Sequence, residues 1–281
     1  MRLPILTARP DLTSQDLVRL FHRTAMRWGD LVAETTQLSC GTALHCAELA
    51  GVADANHMRD AALAPGQSAS EAMEEVRAHF EQVGTRCGFW VMNPSEPTER
   101  TQPLVEHLLA GGWRARETSI MHIHRAANLP GPAAGTQIIS ARASFRLARE
   151  LVAQAVAERI SGTAVAAEKG PESLLVESDM RRLDDSHWDA LLALENGVPV
   201  AQVGVLSVGD MGRIDGLFVA PAHRRRGLAM MMMGQALQSC ARSIFRHVFM
   251  EIDPQNPPSV RVAGGCGFSA VGQAVAYFAS P

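Results

Sequence analysis

The chain has 281 residues, of which 47% are apolar and 20% charged, with a formal net charge of -3 at pH 7. That length suits one large domain or two of about 140 residues, and the composition supports a packed core rather than a disordered chain. The slight acidic excess gives no footing for a nucleic-acid-binding surface, which carries a basic one.

From the start, Leu12 to Trp28 reads as a helix with Leu17, Leu20, Phe21, Ala25 and Trp28 on one face and Thr13 or Ser14 to cap it. Residues 31–63 have weak periodicity and give no assignment. A second helix runs from Ser70 to Val83, starting at Ala69 or Ser70, with Met73, Val76, Phe80 and Val83 inward. Gly88 to Met92 is a short buried strand stopped by Asn93-Pro94. A helix from Pro103 to Ala110 closes on Gly111-Gly112, and Trp113 to His124 is a strand or strand pair. Ala126 to Gly135, uncharged and rich in proline and glycine, is the best linker.

Beyond it the pattern restarts. Phe145 to Ile160 is a helix with Leu147, Leu151, Ala155 and Val156 on its apolar side. Trp188 to Leu194 and Val198 to Val208 read as strands joined at Asn196-Gly197, a strong hairpin signal. Asp210 to Gly212 turns into the next strand. After a helix from Gly227 to Arg242 come the strand His247 to Ile252, a short helix Pro257 to Gly264, and a last strand Ala270 to Phe278.

Cys40, Cys46, Cys87, Cys240 and Cys266 are odd in number and show no C-x-x-C, so neither a disulfide framework nor a zinc site is indicated. His122 and His124 have no third ligand at a defined spacing, and no metal is expected. No secretory signal pattern opens the chain and no apolar run approaches the ~18–20 residues of a membrane span. The expectation is a cytoplasmic protein with no membrane or nucleic-acid partner, for which a homodimer is left open.

The most informative stretch is Ile214 to Ala229, IDGLFVAPAHRRRGLA. A half-buried strand ends at Pro221, a basic turn follows, and then Leu228, Met232, Ala236 and Cys240 recur at helical spacing. Such a turn aims backbone N–H groups and the positive end of the helix dipole at one point, favouring a bound anion. Gly227 and Ala229 permit close approach of a phosphate, and Arg224, Arg225 and Arg226 add positive charge.

Arg224-Arg225-Arg226-Gly227-Leu228-Ala229, behind a strand ending in V-x-P, resembles the R/Q-x-x-G-x-G/A signature of the GNAT (general-control-related N-acetyltransferase) superfamily. The resemblance implies an α/β fold whose mixed, mostly antiparallel central sheet is flanked by helices. It also implies acetyl-CoA as cosubstrate and an amine as acceptor. The implied cofactor-binding residues are Leu217, Phe218 and Val219 on the strand, Arg224, Arg225, Arg226, Gly227, Leu228 and Ala229 in the turn, and Asn256 after the next strand. Asn256 before Pro257 is equally accounted for as a helix cap.

Segments 108–113 and 262–268, each preceded by a strand and a proline-containing loop, follow the same order. The chain therefore looks like a tandem pair of GNAT-type folds. Residues 1–125 form a degenerate copy, 126–135 a linker, and 136–281 the acetyl-CoA-binding copy. The first copy has Pro65-Gly66-Gln67-Ser68-Ala69 where the anion turn would be.

Amide formation from a thioester needs an acceptor for the amine proton and a polarised carbonyl. Asp215, on the strand before the turn and expected to share a face with Leu217 and Val219, is the first candidate base, with Glu195 its rival. Glu251 and Asp253 are expected to face solvent, since Met250 and Ile252 take the alternate positions. The family's tyrosine general acid, seven residues after the asparagine, is replaced by Ala263, and the sole tyrosine, Tyr277, is in the last strand. That leaves a non-catalytic acyl-CoA-binding or regulatory module as the competing reading, and a structural protein with an inactive fold as a third.

Overall fold

The computed structural model describes residues 12–123, 129, 131, 135–161 and 171–279. His124 and most of the linker candidate (126–128, 130 and 132–134) lie outside them. The first described elements are α1 (Ser14–Asp30), β1 (Glu34–Leu38), β2 (Gly41–His45), β3 (His57–Ala61), α2 (Ala69–Gln82), β4 (Phe89–Met92), α3 (Thr98–Ala110) and β5 (Arg114–Ile123). Then come β6 (Thr136–Ser140), α4 (Phe145–Ser161), α5 (Glu172–Arg181), β7 (Trp188–Glu195), β8 (Val198–Val208) and β9 (Met211–Val219). The last are α6 (Leu228–Arg242), β10 (His247–Ile252), α7 (Pro257–Gly265) and β11 (Phe268–Phe278).

Packing divides the chain into two compact units. The C-terminal unit comprises Met1–Thr24, Thr118–Glu158 and Asp179–Gln273, and the N-terminal unit comprises Ala25–Glu117, Arg159–Ser178 and Ala274–Pro281. They differ from the halves expected at 1–125 and 136–281, because α1, β5, α4, α5 and β11 each contribute residues to both. The fold is mixed α/β with mostly antiparallel strands flanked by helices, as expected.

In the C-terminal unit the strands run β5-β10-β9-β8-β7-β6, antiparallel except for the parallel β9/β10 pair. Asn196 (φ 51) and Gly197 (φ 80) both take positive φ, as the two-residue hairpin between β7 and β8 requires. The expected face of α6 is buried: Leu228, Met232, Ala236 and Cys240 pack with Val205, Ile214, Val248, Met250 and Ala263. Each fully buried Leu, Val or Met contributes ~1.5–3 kcal/mol. The turn before β9 is Gly209-Asp210, one residue earlier than expected.

In the N-terminal unit β1, β2, β3, β4 and the end of β11 are successive neighbours, and β3/β4 is again the parallel pair. Its core holds Met58, Val76, Phe80, Trp90, Leu104 and Leu108. The order β3–α2–β4–α3–β5 repeats as β9–α6–β10–α7–β11, which is the internal repetition read from the sequence. α2 starts behind Ser68 rather than Ala69 or Ser70, and α3 starts at Thr98, with Pro103 inside it.

Three helices end in the same paired bonds, a 6→1 and a 5→2 closure around a left-handed residue. In α2 and α3 that residue is Gly84 (φ 76) and Gly112 (φ 84). In α6 it is Ile244 (φ 57): its N–H bonds Ala241 O and that of Phe245 bonds Cys240 O. A β-branched residue in this conformation is strained.

Candidate active site

The site begins where β9 and β10 part. Their parallel ladder pairs His247 with Met211, Val248 with Gly212 and Phe249 with Arg213, and goes no further, although β9 continues to Val219 and β10 to Ile252. The two strands form a fork whose arms carry unshared backbone edges. On its other side β9 is bulged: Phe218 pairs with Gln202 and Asp215 with Gly204, so Gly216 and Leu217 both oppose Val203. Gly216 takes φ 66, open to glycine without strain. The bulge corrects the strand parity read from the sequence. Val219 joins Ile214 in the α6 core, whereas Asp215 is on the opposite face with Arg213.

Beyond β9 the chain passes through Pro221–His223 into the basic turn. Arg225 (φ 63) and Gly227 (φ 81) are both left-handed, and Gly227 is the N-cap of α6 with no side-chain cap. The first helical bond runs from Met231 N–H to Gly227 O. Among the described residues no acceptor meets the N–H groups of Arg225, Arg226, Gly227, Leu228, Ala229 or Met230. Arg224 through Gly227 are exposed, and a Cβ placed on Gly227 would meet nothing within 4 Å. The turn thus presents backbone donors without a protein acceptor at a helix N-terminus, the arrangement that favours a bound anion.

The three arginines have different partners. Arg224 donates from Nε to Val219 O (2.9 Å) and from its terminal nitrogen to Glu158 (2.5 and 2.7 Å), bracing the end of β9. Arg226 donates to Glu195 Oε2 at 2.9 Å, and His223 Nδ1 lies 3.1 Å from the same oxygen. Arg225 has no partner among the described residues. Glu195, the rival base, is thus drawn to the cationic turn.

Asp215 Oδ2 accepts from Arg213 Nε (3.0 Å) and terminal nitrogen (2.9 Å), and Oδ1 accepts from the Gly216 N–H (2.8 Å). Arg213, which sequence reasoning missed, also donates to Glu251 Oε2 at 3.0 Å, and Glu251 Oε1 accepts from Thr118 at 2.5 Å. Glu251 is tied to Arg213 and Thr118 with its side chain 27% exposed, so it is only partly open to solvent rather than solvent-facing as expected. Alternation along β10 holds, but its second face is covered: Phe21 of α1 lies 6.1 Å from the Phe249 ring and 5.0 Å from the Arg213 guanidinium. Burial opposes the charge on Arg213, yet the Asp215 and Glu251 carboxylates more than offset it and raise its pKa.

On α7, Asn256 Oδ1 accepts from the Ser259 N–H at 3.3 Å and caps the helix. Ala263 is fully buried. Cys266, its neighbour one turn on, is buried and its thiol is pushed up to about 11 by desolvation. Tyr277 packs in the core of the N-terminal unit. His122, once paired with His124 as a ligand candidate, is buried with its Nε2 3.3 Å from His247 Nδ1.

The equivalent place in the first copy differs on both counts. The ladder of β3 and β4 runs on, with Ala61 opposite Met92 and Asn93 N–H bonding Ala61 O at 3.1 Å. The N-terminus of α2 is closed by a capping box, in which Ser68 Oγ accepts from Glu71 N–H and Glu71 Oε2 accepts from Ser68 N–H.

Residues 147–268 match the Acetyltransferase (GNAT) family model. Among solved structures, a GCN5-related N-acetyltransferase from Kribbella flavida is similar with a TM-score of 0.62 and 15% identity, over 94% of this chain and 95% of that one. A tandem GNAT protein from the clavulanic acid biosynthesis pathway is similar with a TM-score of 0.51 and 14% identity, over 96% and 98%. A functionally unknown conserved protein from Staphylococcus epidermidis gives 0.54 and 13% over 88% and 94%. At these identities the likeness is one of fold. No curated protein matches the sequence.

Proposed function

Residues 147–268 form a GNAT acetyltransferase domain, and from that premise we propose that the protein binds acetyl-CoA at the Arg225–Met230 turn and transfers its acetyl group to a primary amine. The observation that carries this reading is the row of acceptor-free amides, exposed from Arg225 to Gly227, beside a strand pair that opens at the same end. The turn receives the diphosphate, with Arg225 as the side chain free to contact it. An anion at a helix N-terminus gains ~0.3–1 kcal/mol from the dipole alone, before hydrogen bonds are counted.

The pantetheine arm runs into the fork, along Leu217, Phe218 and Val219, with the Asn256 carboxamide N–H₂ as a donor on the other side. A backbone N–H of the unpaired β9 edge polarises the thioester carbonyl. The ammonium gives one proton to Asp215, directly or through water, and the neutral nitrogen attacks the carbonyl carbon. The C–S bond breaks, the nitrogen sheds its second proton to water, and the departing thiolate takes a proton from water, since Ala263 offers none. The products are the acetylated amine and free CoA.

Calorimetric titration of acetyl-CoA into wild type and Gly227→Trp tests the cofactor site: the variant is expected to lose binding, and equal affinities would place the cosubstrate elsewhere. Thiol release across a panel of primary amines tests transfer. Ala263, which has no proton to give the departing thiolate, favours one competing reading, a module that binds acyl-CoA without turning it over. Tight binding with no thiol release on any amine would support it.

A further inference from the structure

Arg213 is 4% exposed in the middle of a strand, and a guanidinium there costs several kcal/mol of desolvation unless it is fully compensated. Well-packed apolar residues would serve the sheet at least as well. Its position is specific: it is the last residue of β9 paired with β10, and its terminal nitrogen spans to Asp215 on one arm of the fork and Glu251 on the other. The arginine is withdrawn, while the two carboxylate side chains remain 31% and 27% exposed. Among the described residues the group is one guanidinium and two carboxylates, and the carboxylates are its exposed part.

We propose that Arg213 is a positioning residue that fixes Asp215 and Glu251, one from each arm of the fork, as the docking site for the ammonium group of the acceptor. This rests on the acetyl-transfer reading above. Thr118 fixes the outer Glu251 oxygen from β5, and the ring of Phe21 closes over the guanidinium from α1. The other ionisable groups on this face of β5 and β10 are His122 and His247, beside Phe249. Such a site selects alkylamines, which are cationic at neutral pH, over arylamines, which arrive uncharged. It also places the nitrogen next to the carboxylate that takes its proton.

The test uses Arg213→Met, Arg213→Lys and Glu251→Gln in the full chain. Carboxyl-carbon NMR needs no acceptor: removing the guanidinium should displace the Asp215 and Glu251 carboxyl resonances, whereas lysine should largely hold them in place. Ethylammonium should shift the same resonances saturably in wild type and not in Arg213→Met. KM for the amine should rise while acetyl-CoA affinity stays within about twofold, as for a site remote from the turn. If Arg213→Met does not fold, Glu251→Gln should still raise KM for the amine without affecting acetyl-CoA. Equal losses in amine and acetyl-CoA binding, or no ethylammonium response in wild type, overturns the proposal. Wild type that fails to bind acetyl-CoA sinks the transferase reading instead, and the carboxyl resonances still report on Arg213.

Discussion

Gly227→Ala separates backbone strain from anion binding at the turn. Gly227 has φ 81 and a Cβ would meet no protein atom within 4 Å, so the substitution brings no clash. An L-residue in the left-handed region costs ~1–2 kcal/mol, and alanine returns ~0.4–1 by restricting the unfolded chain. The net loss of ~0.5–1 kcal/mol should lower Tm by only about 1–4 °C. For a diphosphate the methyl is not neutral, since it projects from the residue around which the free amides cluster. Loss of even one charge-assisted hydrogen bond, ~1.5–3 kcal/mol, weakens acetyl-CoA binding by roughly tenfold to a hundredfold. Differential scanning fluorimetry gives the first quantity and calorimetry the second. A lowered Tm with an unchanged Kd would show that no anion approaches Gly227 and would remove the main support for the transferase reading.

Arg225→Gln should weaken acetyl-CoA binding and flatten its salt dependence, seen in calorimetry at two ionic strengths; Arg224→Gln, which frees Val219 O and Glu158, should act mainly on Tm. Glu195→Gln releases Arg226 and removes a negative charge from the turn, so affinity for acetyl-CoA should hold or improve, and a sharp loss of turnover at unchanged affinity would restore Glu195 as a base. Ile244→Gly relieves a left-handed β-branched residue that is 81% exposed, and should raise Tm by about 1–3 °C; a fall would mean that this isoleucine is held by contacts of its own. Gly204→Ala drives a Cβ to 2.1 Å from the buried Trp188 ring, and the overpacking, ~1–3 kcal/mol, should lower the midpoint of urea unfolding.

The α6 stripe, the Asn196-Gly197 hairpin and the glycine turn into α6 were legible because each depends on a local rule: period, positive φ, a helix start. The polar strands β1 to β3 were not, since Glu34 to Leu38 is half exposed and lacks alternation. Asp215 was found but placed on the wrong face, because a bulge at Gly216 breaks the period of two without changing residue types. Glu251 was misread because alternation says which residues share a face and not whether a helix covers it. Arg213 carried no signal at all: an arginine two residues before an aspartate reads as an ordinary surface pair, and only the third partner, from a strand distant in sequence, reveals it.

The closed ladder of β3 and β4 and the capped end of α2 are two separate departures from the arrangement around α6. The arginine–glycine hexapeptide is one residue longer than the 65–69 stretch it would replace, and it would leave the Glu71 carboxylate beside the first amides of α2. A fork there would also need β3 and β4 unzipped at Asn93, so no single substitution in the first half reproduces the geometry of the second.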